Sequence, residues 1–158
     1  MKIGTLVKSL DCSQLAFMMT DSFNKASENT AEDDLIVFFN DFAPNVIRPL
    51  FCTLNISEMW NFSGNLISTC VHTTASMIKA PIAATKYFYV WDLEWMRREV
   101  QYKDTIKSFI DPRIELIARS KSHAEAIKNF CNRDVIGIVE DFNIDQIKEI
   151  FNNDPRNQ

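Results

Sequence analysis

Three groups of residues could do chemistry in this chain. The first is Asp92 and Glu94, two carboxylates set between Trp91 and Trp95 at the end of the apolar run that begins at Lys86. A carboxylate pair can supply acid–base work, and aromatic walls often line ligand sites. The second is His72, which follows the apolar run 66–71 and precedes Thr73-Thr74. It suits either a general base or a helix-start residue bonded to its own backbone. The third is Arg119-Ser120, at a strand end just before a helix start, where an anion can be held. Asp92, Glu94 and His72 are therefore the catalytic candidates, and Trp91, Trp95, Arg119 and Ser120 the ligand-binding ones.

Asp11, Asn40-Asp41 and Glu140-Asp141 also follow apolar runs. Taken singly, a carboxylate after a strand is well explained as a helix cap or turn former. His123 falls in the first turn after a capping serine and is assigned to structure. Asp92 and Glu94 stand apart because tryptophans flank them.

The elements that must position these residues alternate along the chain. Apolar runs at 3–7, 35–39, 50–55, 66–71, 86–91, 114–118 and 135–139 read as strands. Between them, residues 13–29 carry Leu15, Ala16, Met19, Phe23 and Ala26 at helical spacing behind Ser13. Pro44 and Pro49 exclude a long helix in the segment after the second strand. Ser57 opens a brief helix that Gly64 ends, residues 74–79 form a short one stopped by Pro81, and 95–110 form loop and helix. Ser122 with Glu125 predicts a capping box. Asn143 with Gln146 repeats it before the stripe Ile144, Ile147, Ile150, Phe151. Six or seven strands alternating with helices predict one α/β domain over 1–151, a doubly wound, mostly parallel sheet with helices on both faces. Residues 152–158 read as a polar, frayed tail. In such a sheet every strand-end residue named above shares one edge, where ligands bind.

Composition narrows the function. The chain has 158 residues, 46% of them hydrophobic and 24% charged, as globular domains do. A net charge of −4 excludes a general nucleic-acid binder, which needs clustered cations, and Arg97-Arg98 is too small a cluster to change that. Cys12, Cys52, Cys70 and Cys131 are too scattered for a metal site or a disulfide framework, which points to a reducing compartment. With no stretch long and apolar enough to span a membrane and no signal-peptide core, a soluble, cytoplasmic protein is expected. The only glycines are Gly4, Gly64 and Gly137, and the turn after the first strand has none. The dinucleotide fingerprint and the phosphate-binding loop both need glycines there, so no cofactor and no metal are expected. One exposed edge strand or helix face would suit self-association.

The run from Lys86 to Phe142 resembles the N-terminal half of GT-B glycosyltransferases, particularly the retaining kind with two Rossmann-like domains. In those proteins a strand like 87–94 ends in an acidic, aromatic-flanked segment. A later strand leads into a serine and a helix, as 114–120 and 122–132 do, and the next closes the domain in an Asn/Asp-containing segment, as 135–145 does. The resemblance covers about a third of the chain and extends to the rest in topology. It implies a Rossmann-like fold and an acceptor-side role, with Asp92 and Glu94 as acceptor-face residues and His72 added by position. It also implies a sugar-nucleotide or glycan ligand. That family binds its donor mainly in a C-terminal domain, and the chain stops where that domain would begin, so a donor-binding partner chain is expected to supply it.

Three functional classes remain open at this point: a glycosyltransferase half working with a partner, a non-catalytic glycosyltransferase-like binding or assembly module, and an unrelated small α/β enzyme. The many Asn, Ile, Phe and Lys residues would suit a viral or small-genome source.

Overall fold

Strands and helices alternate in the computed structural model, which describes residues 1–11, 13–29, 33–41, 43, 47–97 and 102–157. Cys12, Pro44 and Arg98 lie outside the described residues. The strands are β1 (Lys2–Ser9), β2 (Asp34–Asp41), β3 (Cys52–Asn55), β4 (Gly64–Ser68), β5 (Ala84–Tyr89), β6 (Ile114–Ala118) and β7 (Gly137–Ile138). The helices are α1 (Gln14–Asn29), α2 (Val71–Lys79), α3 (Tyr102–Ile110), α4 (Lys121–Cys131) and α5 (Ile144–Asn153), with short 3₁₀ pieces at Ile56–Asn61, Glu94–Met96 and Pro155–Asn157.

All seven strands join one sheet in the order β3-β2-β1-β4-β5-β6-β7, and every pair is parallel. The domain is a single Rossmann-like α/β unit with its strand order reversing between β1 and β4. One core lies under α1 and α5, where Met19, Phe23, Ile147 and Phe151 meet Tyr87 and Tyr89. The other lies under α2, α3 and α4, where Met77, Phe109 and Ile127 meet Phe88 and Val90. Successive β5 side chains thus alternate between the faces, and all four from Tyr87 to Val90 are fully buried. Each large side chain removed from water contributes about 1.5–3 kcal/mol, so β5 ties the two layers together. Lys86 is buried as well, because its Nζ donates to Met77 O and Ala80 O, both at 2.9 Å, and caps the C-terminus of α2. Gly137 is needed where α5 crosses β7: a Cβ there would run into the Ile150 side chain.

Several local expectations shift. The strand expected over 66–71 stops at Ser68, because Cys70 caps α2 and Val71 already opens it. His72 therefore sits inside the first turn of α2. The cap of α4 is Ser120 rather than Ser122, its hydroxyl accepting the His123 N–H at 3.2 Å. The strand expected over 135–139 narrows to β7 at Gly137–Ile138, with the Ile136 and Val139 N–H groups adding bonds to Leu116 O and Ala118 O of β6. Asn143 does cap α5, accepting from the N–H groups of Asp145 and Gln146. Ser13 likewise caps α1 through the Ala16 N–H at 3.2 Å.

The tail is the clearest correction. Residues 154–157 are not frayed but fold back against β5. Asp154 is buried and accepts the Tyr87 hydroxyl at 2.7 Å, and Asn157 donates to both Tyr87 Oη and Phe151 O. Its polar residues read as solvent-facing because their partner, a tyrosine in the sheet, is far away in sequence.

Candidate functional site

Three strands deliver the site at the carboxyl edge of the sheet. After β5 the chain continues straight, Val90 N–H donating to Ile117 O at 2.9 Å, and this places Trp91 edge-on to Tyr89 with ring centres 5.9 Å apart. After β6, Arg119 lays its guanidinium on the Trp91 ring, 3.7 Å from the centroid. Cation–π contact of this kind fixes the plane of the guanidinium. The Arg119 backbone N–H donates to His123 Nδ1 at 3.3 Å, so the neutral ring carries its hydrogen on Nε2. Burial, followed by the Arg119 charge, holds His123 below its ordinary value, with Asp92 opposing. The Ser120 and Ser122 hydroxyls lie 3.1 Å apart at the start of α4.

After β7 comes the turn through Glu140, Asp141, Phe142 and Asn143. Asp141 (φ 45°) and Phe142 (φ 58°) are both left-handed, an arrangement that bulky side chains resist. Packing and hydrogen bonds impose it. The Tyr89 hydroxyl donates to Val139 O at 2.8 Å and accepts the Phe142 N–H at 3.4 Å. The Phe142 ring is buried edge-on against Tyr89 and Phe23, at 5.0 and 5.8 Å. The Glu140 N–H donates to Gln146 Oε1 at 2.9 Å. Burial pushes the Tyr89 phenol up to about 12, so it stays protonated and able to donate. The turn presents Asp141 to Arg119 at 3.7 Å, a long ion pair with Asp141 open to solvent.

Between these three strand ends lies a cleft of about 530 Å³, walled by Trp91, Arg119, Ser120, His123, Glu140 and Asp141, with Leu93 and Ser122 at its sides. Of the residues marked in the sequence, Trp91, Arg119 and Ser120 are brought together here. Asp92, Glu94, His72 and Trp95 are not among its lining residues. Asp92 pairs with Arg97 at 2.6 Å, both half-exposed or more. Glu94 Oε1 accepts the Val71 N–H at 2.8 Å and so caps α2 across the loop; burial raises its carboxyl above the ordinary range. His72, one residue along, is exposed. Trp95 turns to the opposite core, stacked on Phe130 at 4.3 Å and edge-on to Phe109 at 5.2 Å. The two tryptophans that bracket the carboxylates in sequence therefore end on opposite faces of the sheet. His123 is the site residue that sequence reasoning misses. Its signal was position: three residues after a helix-capping serine that itself follows an arginine.

At the switch point between β1 and β4, where nucleotides bind in many sheets of this kind, the Thr69 hydroxyl donates to Leu6 O at 2.8 Å and ties the two strand ends. Asp11 accepts the Ser13 N–H at 2.9 Å, and its bonds to serines hold its carboxyl below the ordinary range. The turn thus carries a carboxylate where a diphosphate would need backbone N–H groups. Among the described residues, no three His, Cys, Asp or Glu side chains converge on a point that could hold a metal ion. No helix among them is long and apolar enough to cross a membrane.

Comparison of the chain with known protein families, with curated proteins and with solved structures finds no match.

Proposed function

We propose that this domain is the acceptor-side half of a GT-B-type glycosyltransferase, and that the cleft at the ends of β5, β6 and β7 receives a sugar acceptor. The observation that carries this reading is the chemistry of the cleft wall. Arg119, Ser120, Ser122 and the Nε2–H of His123 are donors; Glu140 and Asp141 are acceptors; Leu93 adds apolar surface. Hydroxyl groups, which both donate and accept, suit such a wall. One guanidinium faces two carboxylates, so a diphosphate would meet net negative charge, whereas a neutral polyol would not. Support also comes from position: the lining residues Trp91, Arg119, Ser120, His123, Glu140 and Asp141 all lie in the run 86–142 that resembles the family.

In this reading Trp91 orients Arg119, since the guanidinium covers its ring. His123 is a hydrogen-bond donor, because its Nδ1 is occupied by backbone. Accepting a proton from the acceptor hydroxyl falls to Asp141 or Glu140, both exposed at the lip. The donor half is supplied by a partner chain.

The test is titration of the protein with neutral saccharides and, separately, UDP-glucose, followed by NMR or calorimetry. Saccharide binding weakened at least tenfold by Arg119→Ala, with UDP-glucose silent, is the expected result. UDP-glucose binding tighter than any saccharide would overturn the acceptor assignment.

A non-catalytic binding module is the second reading. It is favoured by the engagement of Asp92 with Arg97 and of Glu94 with α2. Saccharide binding that survives Asp141→Asn and Glu140→Gln, with no transfer in any pairing with a donor domain, would select it.

A further inference from the structure

A second cleft, of about 480 Å³, opens on the far side of the Glu140–Asp141 turn, between α1 and α5. Glu140 and Asp141 line both clefts, so the turn is a shared lip between them rather than an outer wall. Each volume alone lies within the roughly 300–1,000 Å³ of small-ligand sites.

The second cleft repeats the chemistry of the first. Ser22 Oγ accepts the Ile144 N–H at 3.1 Å, which leaves its hydroxyl hydrogen to donate. Gln146 uses its amide oxygen on the Glu140 N–H, which leaves its NH₂ group as a double donor. Asp21 and Lys25 pair at 2.6 Å on α1, and Lys148 is bonded to Asp33. Asp21, Glu140, Asp141 and Asp145 outnumber Lys25 and Lys148 around it, so here too a neutral, hydroxyl-rich ligand is favoured over an anion. The lip is rigid. Tyr89, Gln146 and the buried Phe142 ring hold its left-handed residues, so it keeps its shape between the clefts.

We propose that the two clefts are subsites of one groove, and that the acceptor is a neutral oligosaccharide lying across the Glu140–Asp141 lip with a sugar unit on each side. This rests on the acceptor reading above and adds its substrate class: a chain of two or more sugars rather than a single one. The first cleft, with Arg119 and His123, holds one unit, and the α1–α5 cleft holds the next.

The experiment titrates the full chain with matched mono-, di- and trisaccharides of glucose, mannose, galactose and N-acetylglucosamine. It compares wild type with Asp21→Ala/Lys25→Ala, with Asp145→Ala as a second lesion in the same cleft, and with Arg119→Ala. Circular dichroism melts check that each variant is folded. The expected result is at least tenfold tighter binding of one di- or trisaccharide than of its monosaccharide. The second-cleft variants should erase that advantage while leaving monosaccharide affinity unchanged, whereas Arg119→Ala weakens every length. Equal affinity at all lengths, or second-cleft variants that leave the length advantage intact, would overturn the two-subsite groove and leave the acceptor reading standing. Absence of binding by every saccharide in the panel would overturn both.

Discussion

Tyr87 and Tyr89 stand two residues apart on β5, facing the same core, both fully buried. They secure the two ends of the sheet by different means. Tyr87 works through charge: its hydroxyl donates to Asp154, whose carboxylate is held by the Arg156 guanidinium at 2.6 Å, and that guanidinium lies 5.0 Å over the Tyr87 ring. Tyr89 works chiefly through neutral backbone groups, Val139 O and the Phe142 N–H, with the Arg119 side chain as a further partner and no carboxylate bonded to it. At the Tyr87 end the charges neutralise one another and lock the tail. At the Tyr89 end the hydroxyl fixes the shape of a turn and leaves Arg119, Glu140 and Asp141 to face a cleft. The same residue type thus closes one edge of the sheet and keeps the other usable.

The sharpest way to break this comparison is Asp154→Ala. It strips the Tyr87 hydroxyl of its acceptor and Arg156 of its partner in a site 1% exposed, and should cost about 3 kcal/mol in denaturant unfolding without altering saccharide binding. A loss below about 1 kcal/mol would show that the tail does not anchor β5.

Acid should act at the same place. Burial works to raise the Asp154 carboxyl, but the bonds from Arg156 and Tyr87 outweigh it and hold the group at about 2, against an ordinary 3.8. A depressed carboxyl stabilises the fold at pH values above its unfolded value. That stability is lost as pH falls from about 4 towards 2, and amounts to about 2 kcal/mol. Asp154→Asn should flatten this limb of the pH–stability curve; an unchanged limb would place the acid sensitivity elsewhere.

The smallest effect belongs to Tyr89→Phe. It keeps the ring and loses the bonds to Val139 O and the Phe142 N–H together with the Arg119 contact, so about 1 kcal/mol of stability should go, with no acid limb removed. Because the turn it releases carries Asp141, weaker saccharide binding should accompany that small loss, whereas Tyr87→Phe should leave binding unchanged. Equal effects of the two substitutions on binding would erase the distinction between the edges.

Most of the fold was legible because its signals are local. Apolar runs such as Leu35 to Phe39 and Ile114 to Ala118 have few other uses than a buried strand, and Ser13 and Asn143 cap the helices they precede. Less of the site was legible, because its contacts are not local. Cys70 is an uncommon cap, so the start of α2 and the place of His72 could not be read. Trp91 and Trp95 look equivalent in sequence, yet Trp91 continues the line of β5 while Trp95 sits inside the 3₁₀ turn Glu94–Met96, and the two end on opposite faces of the sheet. Glu94 is drawn off to Val71 and Asp92 to Arg97. His123 reaches Arg119 through a local contact four residues long, but Trp91 and the Glu140–Asp141 turn that complete the site come from other strand ends, a juxtaposition made by sheet order.

The contact between Ser22 and Ile144 spans 122 positions of chain. Helix α1 is therefore synthesised long before α5 arrives to share its face of the sheet. Until then Phe23, Tyr87 and Tyr89 lack the part of their cover that Ile147 and Phe151 supply. An all-parallel sheet closed by so late a helix has high contact order and should fold slowly, and a nascent or truncated chain would expose this aromatic face to aggregation. Cells making this protein would meet that hazard during synthesis, when chaperone occupancy of the α1 face would matter more than the stability of the finished domain.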